Sequence, residues 1–197
     1  TAFVGIDDVV HAAALKHVPL CEYNPSEAVK TNVYGTQNVC DMAIECHVEN
    51  VVVLSTDKAV EPINFYGSTK MLAEKYAIFS NSYSRTNKDN HKKTKISCVR
   101  YGNVVGSRGS IVEAFLGMSK DKPFTITDEK MTRFWMHIDD SVNMVLWTLS
   151  NMLGGEIVIP KLKCSTVTDI ARAIDDKREI KIIGIRPGEK IHEQLFS

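Results

Sequence analysis

The chain has 197 residues, 44% of them apolar and 24% charged, which is enough for one globular unit with a real core. Its 24 basic and 24 acidic residues cancel, so no global field collects nucleic acid or an anionic membrane. No apolar run reaches the roughly 20 residues that span a bilayer, no signal peptide is visible, and the five cysteines (Cys21, Cys40, Cys46, Cys98, Cys164) are scattered, so a cytoplasmic protein with free thiols and no metal site is expected.

Asp8–His11 reads as a strand running into the small-residue turn Ala12, Ala13, Ala14. Asn24-Pro25-Ser26 opens a helix with Ser26 as N-cap, and Ala28, Val29, Val33, Val39, Met42, Ala43 and Cys46 repeat at a period near 3.6. Gly35 lies inside that helix; a glycine there costs up to about 1 kcal/mol against alanine, which predicts close helix-to-sheet packing. Val51–Leu54 is a β-branched run that predicts a buried strand, delivering Ser55, Thr56, Asp57 and Lys58 to an edge of the sheet. Pro62 and Asn64 mark a loop, after which a helix carries Leu72, Tyr76 and Phe79 on one face.

From Ser80 to Thr94 the sequence is polar and lysine-rich (Arg85, Lys88, Lys92, Lys93), predicting a solvated, disordered loop. Lys95–Tyr101 is the next strand and ends at Gly102-Asn103. A short helix over Ile111–Met118 and a strand over Phe124–Ile126 follow. Asp139 or Asp140 then caps a helix whose Val142, Val145, Leu146 and Leu149 face inward, ended by Gly154-Gly155. Glu156–Ile159 is a strand stopped by Pro160, and Thr166 with Asp169 forms a capping box before Ile170–Ile174. Lys181–Ile185 gives a last strand, and a final helix is expected beyond Lys190.

Chemistry concentrates at Ser55–Lys70. Tyr66 and Lys70 are four apart and share a helix face. A phenol titrating near pH 10 needs about three units of help, roughly 4 kcal/mol, to act as a base near neutrality, and an ammonium one turn away supplies part of it. By itself that spacing fits any amphipathic helix; the residues before it decide. Asp57 and Lys58 are adjacent at a strand end, and in extended chain they would point to opposite faces and serve different atoms.

Ser55-Thr56-Asp57-Lys58-Ala59 followed by Asn64-Phe65-Tyr66-Gly67-Ser68-Thr69-Lys70 resembles the extended short-chain dehydrogenase/reductase superfamily. Within it the chain is similar to the inverting UDP-N-acetylglucosamine 4,6-dehydratases and related polysaccharide-biosynthesis dehydratases. The blocks His11–Pro19, Arg100–Ser110, Met131–Trp135 and Arg186–Lys190 match in the same order.

The resemblance implies an α/β fold, a Rossmann-type doubly wound parallel sheet with a smaller C-terminal α/β substrate-binding lobe. Residues 1–110 would form the C-terminal portion of the cofactor domain and 111–197 mainly the lobe. No Gly-x-Gly-x-x-Gly occurs; in relatives that segment precedes Thr1, so the chain is expected to lack the N-terminal part of the nucleotide fold. The implied cofactor is NADP, the implied partner a UDP-sugar, and a homo-oligomer is expected through helices corresponding to Ser26–Cys46 and Tyr66–Tyr83.

Residue by residue, the resemblance implies Asp57, Lys58, Tyr66 and Lys70 as catalytic groups. It implies His11, Ala12, Ala13, Ala14, Asn32, Ser55, Tyr66, Lys70 and Tyr101 at the cofactor. It implies Lys16, Thr56, Asn103, Arg108, Arg133, Arg186 and Glu189 at the sugar nucleotide, where arginine suits a diphosphate because its fork donates two parallel hydrogen bonds. In the implied reaction Tyr66 serves C4, Lys58 removes the C5 proton and Asp57 protonates the departing C6 hydroxyl. The alternative is a UDP-N-acetylglucosamine 4-epimerase or related sugar-nucleotide oxidoreductase; a degenerate binding protein is the non-enzymatic one. Epimerases of the superfamily usually place small residues where this chain has Asp57-Lys58, and dehydratases that retain C5 usually place Asp-Glu. The segment His137-Ile138-Asp139-Asp140 departs from the expected pattern and leaves the sugar preference open.

Overall fold

The computed structural model describes residues 2–84 and 93–196; Arg85, Lys88 and Lys92 of the polar loop lie outside the described residues. Four parallel strands form the main sheet in the order β1 (Asp8–His11), β2 (Asn50–Thr56), β3 (Lys95–Tyr101) and β7 (Ile157–Val158). The β2 run is central, with Val51, Val52 and Val53 fully buried, as a strand covered on both faces requires. Its alternation splits the core in two. Val51 and Val53 pack with Cys40, Ala43 and Ala77 on one side, whereas Val52 packs with Val99, Val145 and Met152 on the other.

The first side is covered by α3 (Gly35–Glu45) and α4 (Phe65–Ser80), the second by α6 (Ile138–Asn151). Helix α6 and strand β7 both come from beyond residue 110 and still belong to the main sheet. The lobe is built from β4 (Asn103–Val104), β6 (Thr132–Met136) and β8 (Lys163–Thr166), with a parallel pair of β5 (Phe124–Ile126) and β9 (Ile180–Ile182). Helices α5 (Ile111–Leu116) and α7 (Val167–Ile174) close its own core over Phe115, Phe124, Ile126 and Met131. Thr166 and Asp169 form the expected capping box, while β4 and β8 were too short and polar for sequence periodicity to mark.

Several local expectations give way. After α1 (Val18–Tyr23), helix α2 (Pro25–Ala28) is capped by Asn24, with Pro25 in its first turn rather than outside it; proline fits there because that position needs no N–H. The helix then widens into a π segment, Val29–Tyr34, before α3. The buried positions along this stretch are Ala28, Asn32, Thr36, Cys40 and Ala43, so polar residues share the inward face that apolar periodicity assigned to Val29 and Val33. Gly35 has no close neighbour: an added Cβ would lie 3.6 Å from the Lys30 carbonyl oxygen.

On α4 the inward side is Ala73, Ala77 and Ser80, and Leu72 and Phe79 face outward. His137, not an aspartate, caps α6, and only Val145 of the four expected inward residues is fully sequestered; Val142 and Leu146 are exposed. The chain beyond Lys190 forms no helix. It runs as an irregular strap with a bridge between Thr132 and His192, because its backbone is bonded across to β6 rather than along itself: Thr132 donates to the Ile191 carbonyl at 3.0 Å.

Candidate active site

Parallel strands of unequal reach bring their carboxyl ends to one edge. Register pairs Thr56 with Tyr101 and His11 with Val53, so His11, Ser55–Lys58 and Tyr101–Asn103 arrive side by side, where ligands bind in such sheets. Asn64 then starts α4 beneath them: its Oδ1 accepts from the Gly67 amide at 2.8 Å, satisfying a first-turn N–H. Gly67 allows that approach, since a Cβ there would sit 2.2 Å from the Lys58 carbonyl oxygen.

Tyr66 is nearly buried among Cys21 and Ala28. Burial holds its phenol above the ordinary range, a hydrogen bond with Thr56 acts the other way, and the negative field of Asp57 adds to the rise. Lys70 is 4% exposed and donates to the Leu54 carbonyl at 2.5 Å; burial lowers it below the usual lysine range. Both shifts favour uncharged forms, so the lysine is tied to the strand rather than spent on the phenol. His11 is also held low, by burial first and by the Lys70 charge second, and its Nε2 lies 3.1 Å from Thr36 Oγ1.

Asp57 and Lys58 do not point apart. The strand ends at Thr56 and Asp57–Ala59 is a 3₁₀ turn, which places Lys58 Nζ 3.1 Å from Asp57 Oδ1. A turn with three residues per rotation cannot keep the two-fold alternation of a strand. Asp57 is fully buried, its Oδ1 also accepts from Thr56 Oγ1 at 3.0 Å, and its Oδ2 has no partner among the described residues.

Asn32 stands behind this edge, with no exposed surface. Its Oδ1 accepts from the Leu15 amide at 2.8 Å while its Nδ2 donates to the Leu15 carbonyl and to Thr69 Oγ1, each at 2.9 Å. Its amide is thereby consumed by the turn after β1 and by the neighbour of Lys70, so it acts on the site through them. The π segment is what aims it there, a use such segments often have. Ser55 Oγ is buried with no partner among the described residues, and Ala12 and Ala13 are open.

Lys16, Arg108 and Arg186 are exposed and Asn103 and Tyr101 half-buried; burial raises the Tyr101 phenol. Arg133 bonds the carbonyls of Thr132 (2.7 Å) and Ile191 (3.2 Å), and Glu189 Oε2 accepts from Thr127 Oγ1 at 3.0 Å. The strap is pinned to the start of α4 and the loop before it: Asn64 Nδ2 donates to the Gly188 carbonyl at 2.9 Å and Lys190 Nζ to the Val60 carbonyl at 2.6 Å. It carries a residue that sequence reasoning missed, Glu193, whose Oε1 is 3.4 Å from Lys58 Nζ. No periodic signal marks Glu193, because its segment is neither helix nor strand. A hollow of about 580 Å³ bounded by Asp8, Asn50, Lys95 and Leu153 lies at the amino ends of the strands, opposite this cluster.

A family model described as "Polysaccharide biosynthesis protein" matches residues 1–197. Over its whole length the chain is 47% identical to the "UDP-N-acetylglucosamine 4,6-dehydratase (inverting)" of Campylobacter jejuni subsp. jejuni serotype O:2, covering 58% of that protein. It is 45% identical to a "UDP-glucose 4-epimerase" of Rickettsia canadensis, again covering 58% of it. The X-ray structure of Pen from Bacillus thuringiensis superposes over 100% of this chain and 62% of its own, with a TM-score of 0.89 and 37% identity. The chain thus spans less than two thirds of each of these three proteins.

Proposed function

Because the chain belongs to the polysaccharide biosynthesis protein family, we propose that its protein is an NADP-dependent UDP-N-acetylglucosamine 4,6-dehydratase that inverts C5, acting in the cytoplasm. The observation that carries this reading is the Asp57–Lys58 contact at the carboxyl end of β2, packed against the start of the helix that bears Tyr66. A C4 epimerase needs no base at C5, whereas a dehydratase needs a base at C5 and an acid at C6. The Campylobacter relative's name agrees; the Rickettsia relative's name supports the second reading, a 4-epimerase.

The residues present fit a nicotinamide cofactor: Ser55 Oγ is a buried polar atom left without a partner beside the Tyr66–Lys70 pair, and the alanines leave the edge open. When bound, that group supplies a hydride acceptor for C4, a hydride donor for C6 and a positive charge that favours the Tyr66 phenolate. Tyr66 takes the C4 hydroxyl proton, and the resulting ketone acidifies C5. Lys58 as amine breaks the C5–H bond and gains the proton. The proton crosses 3.1 Å to Asp57 Oδ1, and the Asp57 carboxyl delivers it to the C6 hydroxyl, which departs as water, while C5 takes a solvent proton on its opposite face and Tyr66 returns its own to solvent. Lys16, Arg108 and Arg186 supply cations for the diphosphate. Leu72, Phe79 and Tyr34 expose apolar surface on the outer helices, which supports a homo-oligomer.

The test is the full-length protein with NADP and UDP-N-acetylglucosamine in deuterated water, followed by proton NMR. A 4-keto-6-deoxy sugar with deuterium at an inverted C5 is expected, and Lys58→Ala should abolish that exchange. A 4-epimer that keeps its C6 hydroxyl and C5 proton would overturn the dehydratase and establish the epimerase. NAD in place of NADP should lower turnover.

A further inference from the structure

Lys58 faces two carboxylates, and only one of them belongs to its own turn. Asp57 Oδ1 lies 3.1 Å from Nζ and Glu193 Oε1 3.4 Å. The Glu193 side chain is 4% exposed and that of Lys58 22%, so the trio is shielded from water on the protein side while the lysine keeps an opening. Glu193 is held in place on both sides. Upstream are the Asn64–Gly188 and Lys190–Val60 bonds. Downstream, the Leu195 carbonyl accepts from Arg100 at 2.8 Å, and Arg100 is itself forked onto the buried Glu74 at 2.9 and 2.6 Å. Gly188 passes under Asn64 with a φ of 82°, a backbone state that side chains resist. A strap fastened to the helix start, to the preceding loop and to a central strand delivers one carboxylate to one ammonium.

That placement poses a chemical problem for the dehydratase reading, on which this inference rests. An ammonium cannot abstract a proton. The proton therefore needs a destination inside the site. Asp57 is the better supplied with donors, since its Oδ1 already accepts from Thr56 Oγ1 at 3.0 Å as well as from Lys58. Glu193 Oε1 pairs with Lys58, and its Oε2 is buried with no partner among the described residues.

We propose that Glu193 is the positioning residue that holds Lys58 Nζ at C5 and accepts its resting proton, leaving the free amine that acts as base. The step is a proton shift with no redox change: an N–H bond of the ammonium breaks, an O–H bond forms on Glu193, and both charges vanish. Removing two opposite charges from a poorly solvated site makes that shift affordable. Lys58 then takes the C5 proton and hands one to Asp57 for the C6 hydroxyl, so Glu193 keeps its proton through the elimination. Other titratable groups of the packed elements include Tyr66 and Lys70 on α4, Tyr101 on β3 and Lys190 on the strap, while Glu74 pairs with Arg100, Glu189 with Thr127 and His192 with Thr132. Lys70 and Lys190 are spent on backbone carbonyls, burial raises both phenols, and Tyr66 is engaged at C4.

The experiment compares the full-length wild type with Glu193→Gln and Glu193→Asp by NMR of C5 deuterium exchange from about pH 6 to 9 in the presence of NADP and UDP-N-acetylglucosamine. C4 oxidation is read in parallel from the absorbance of the reduced nicotinamide. Glu193→Gln preserves shape but cannot take the proton. Its exchange should fall about 10- to 100-fold near neutrality and recover as the pH rises toward 9, because the proton must then leave to solvent, while C4 oxidation changes far less. Glu193→Asp keeps the acid one methylene short and should recover part of the rate with the wild-type pH profile. A fall by the same factor at every pH, or in both half-reactions alike, would show a merely structural role and overturn the proposal. Unchanged exchange in Glu193→Gln would overturn it as well. A wild type that oxidises C4 but never exchanges C5 would instead remove the dehydratase reading, and this inference with it.

Discussion

Asn32→Ala is the perturbation that most directly tests how the site is held. The amide makes three hydrogen bonds, from the Leu15 N–H at 2.8 Å and to the Leu15 carbonyl and Thr69 Oγ1 at 2.9 Å each. Truncation leaves the Leu15 N–H and C=O and the Thr69 hydroxyl each short of a partner. Thr69 Oγ1 still donates to the Tyr66 carbonyl at 2.8 Å, so it loses only an accepted bond, and Leu15, half-buried, regains some water. At about 1 kcal/mol for each lost bond, the sum is about 2–4 kcal/mol, or a melting temperature lower by roughly 5–15 °C in a chain of this size. Urea unfolding of the full-length protein followed by circular dichroism measures it. Asn32→Asp separates hydrogen bonding from shape. It keeps the acceptor for Leu15 but sets an acceptor against the Leu15 carbonyl. The carboxyl is then stable only while protonated, so this variant should lose stability as pH rises, opposite to an ordinary surface aspartate. A loss below about 1 kcal/mol in Asn32→Ala, with no pH trend in Asn32→Asp, would refute the clamp.

Three further outcomes follow from the geometry. Gly67→Ala drives a methyl into the Lys58 carbonyl oxygen, 2.2 Å from the ideal Cβ, so the Asp57–Lys58 turn must shift. Turnover should fall about 100-fold, with a loss of about 1–3 kcal/mol in unfolding; wild-type turnover would show that the turn yields freely. Glu74→Gln strips the partner from Arg100, whose bonds of 2.9 and 2.6 Å are both lost as charge pairs. That should cost about 3–5 kcal/mol, whereas Glu74→Leu with Arg100→Met should recover most of it, as a double-mutant cycle would reveal. His11 is held below its ordinary 6.5 by burial and by Lys70. The unfolded chain therefore binds the proton more readily, so its contribution to stability is complete above about pH 6.5 and declines as pH falls below that. A His11→Gln variant should show a flatter stability profile between about pH 5 and 6.5, and an unchanged profile would argue that His11 stays solvated.

The sequence by itself determined the elements whose burial is periodic and whose chemistry is local. The Val51–Leu54 run could only be a covered strand, Tyr66 and Lys70 could only share a helix face, and Thr166 with Asp169 sufficed for a capping box, since each depends on residues within one turn or one strand. Tertiary structure decided what depends on distant partners. Asn32 faces inward because a turn after β1 and a hydroxyl on α4 satisfy it, and Thr36 because the Asn32 carbonyl and the His11 ring do, which no apolar period could report. Leu72 and Phe79 face outward for the converse reason, the inward side of α4 being set by small residues that let it lie against α3 and the sheet. Asp57 and Lys58 meet because a 3₁₀ turn replaces the last strand residues, a change worth one hydrogen bond and invisible to alternation. Glu193 reaches Lys58 because the side chains of Asn64 and Arg100 and the Val60 carbonyl bind a strap, and the strap's own residues form no periodic element. Local pattern names the reacting groups; long-range hydrogen bonding and charge pairing set which of them touch.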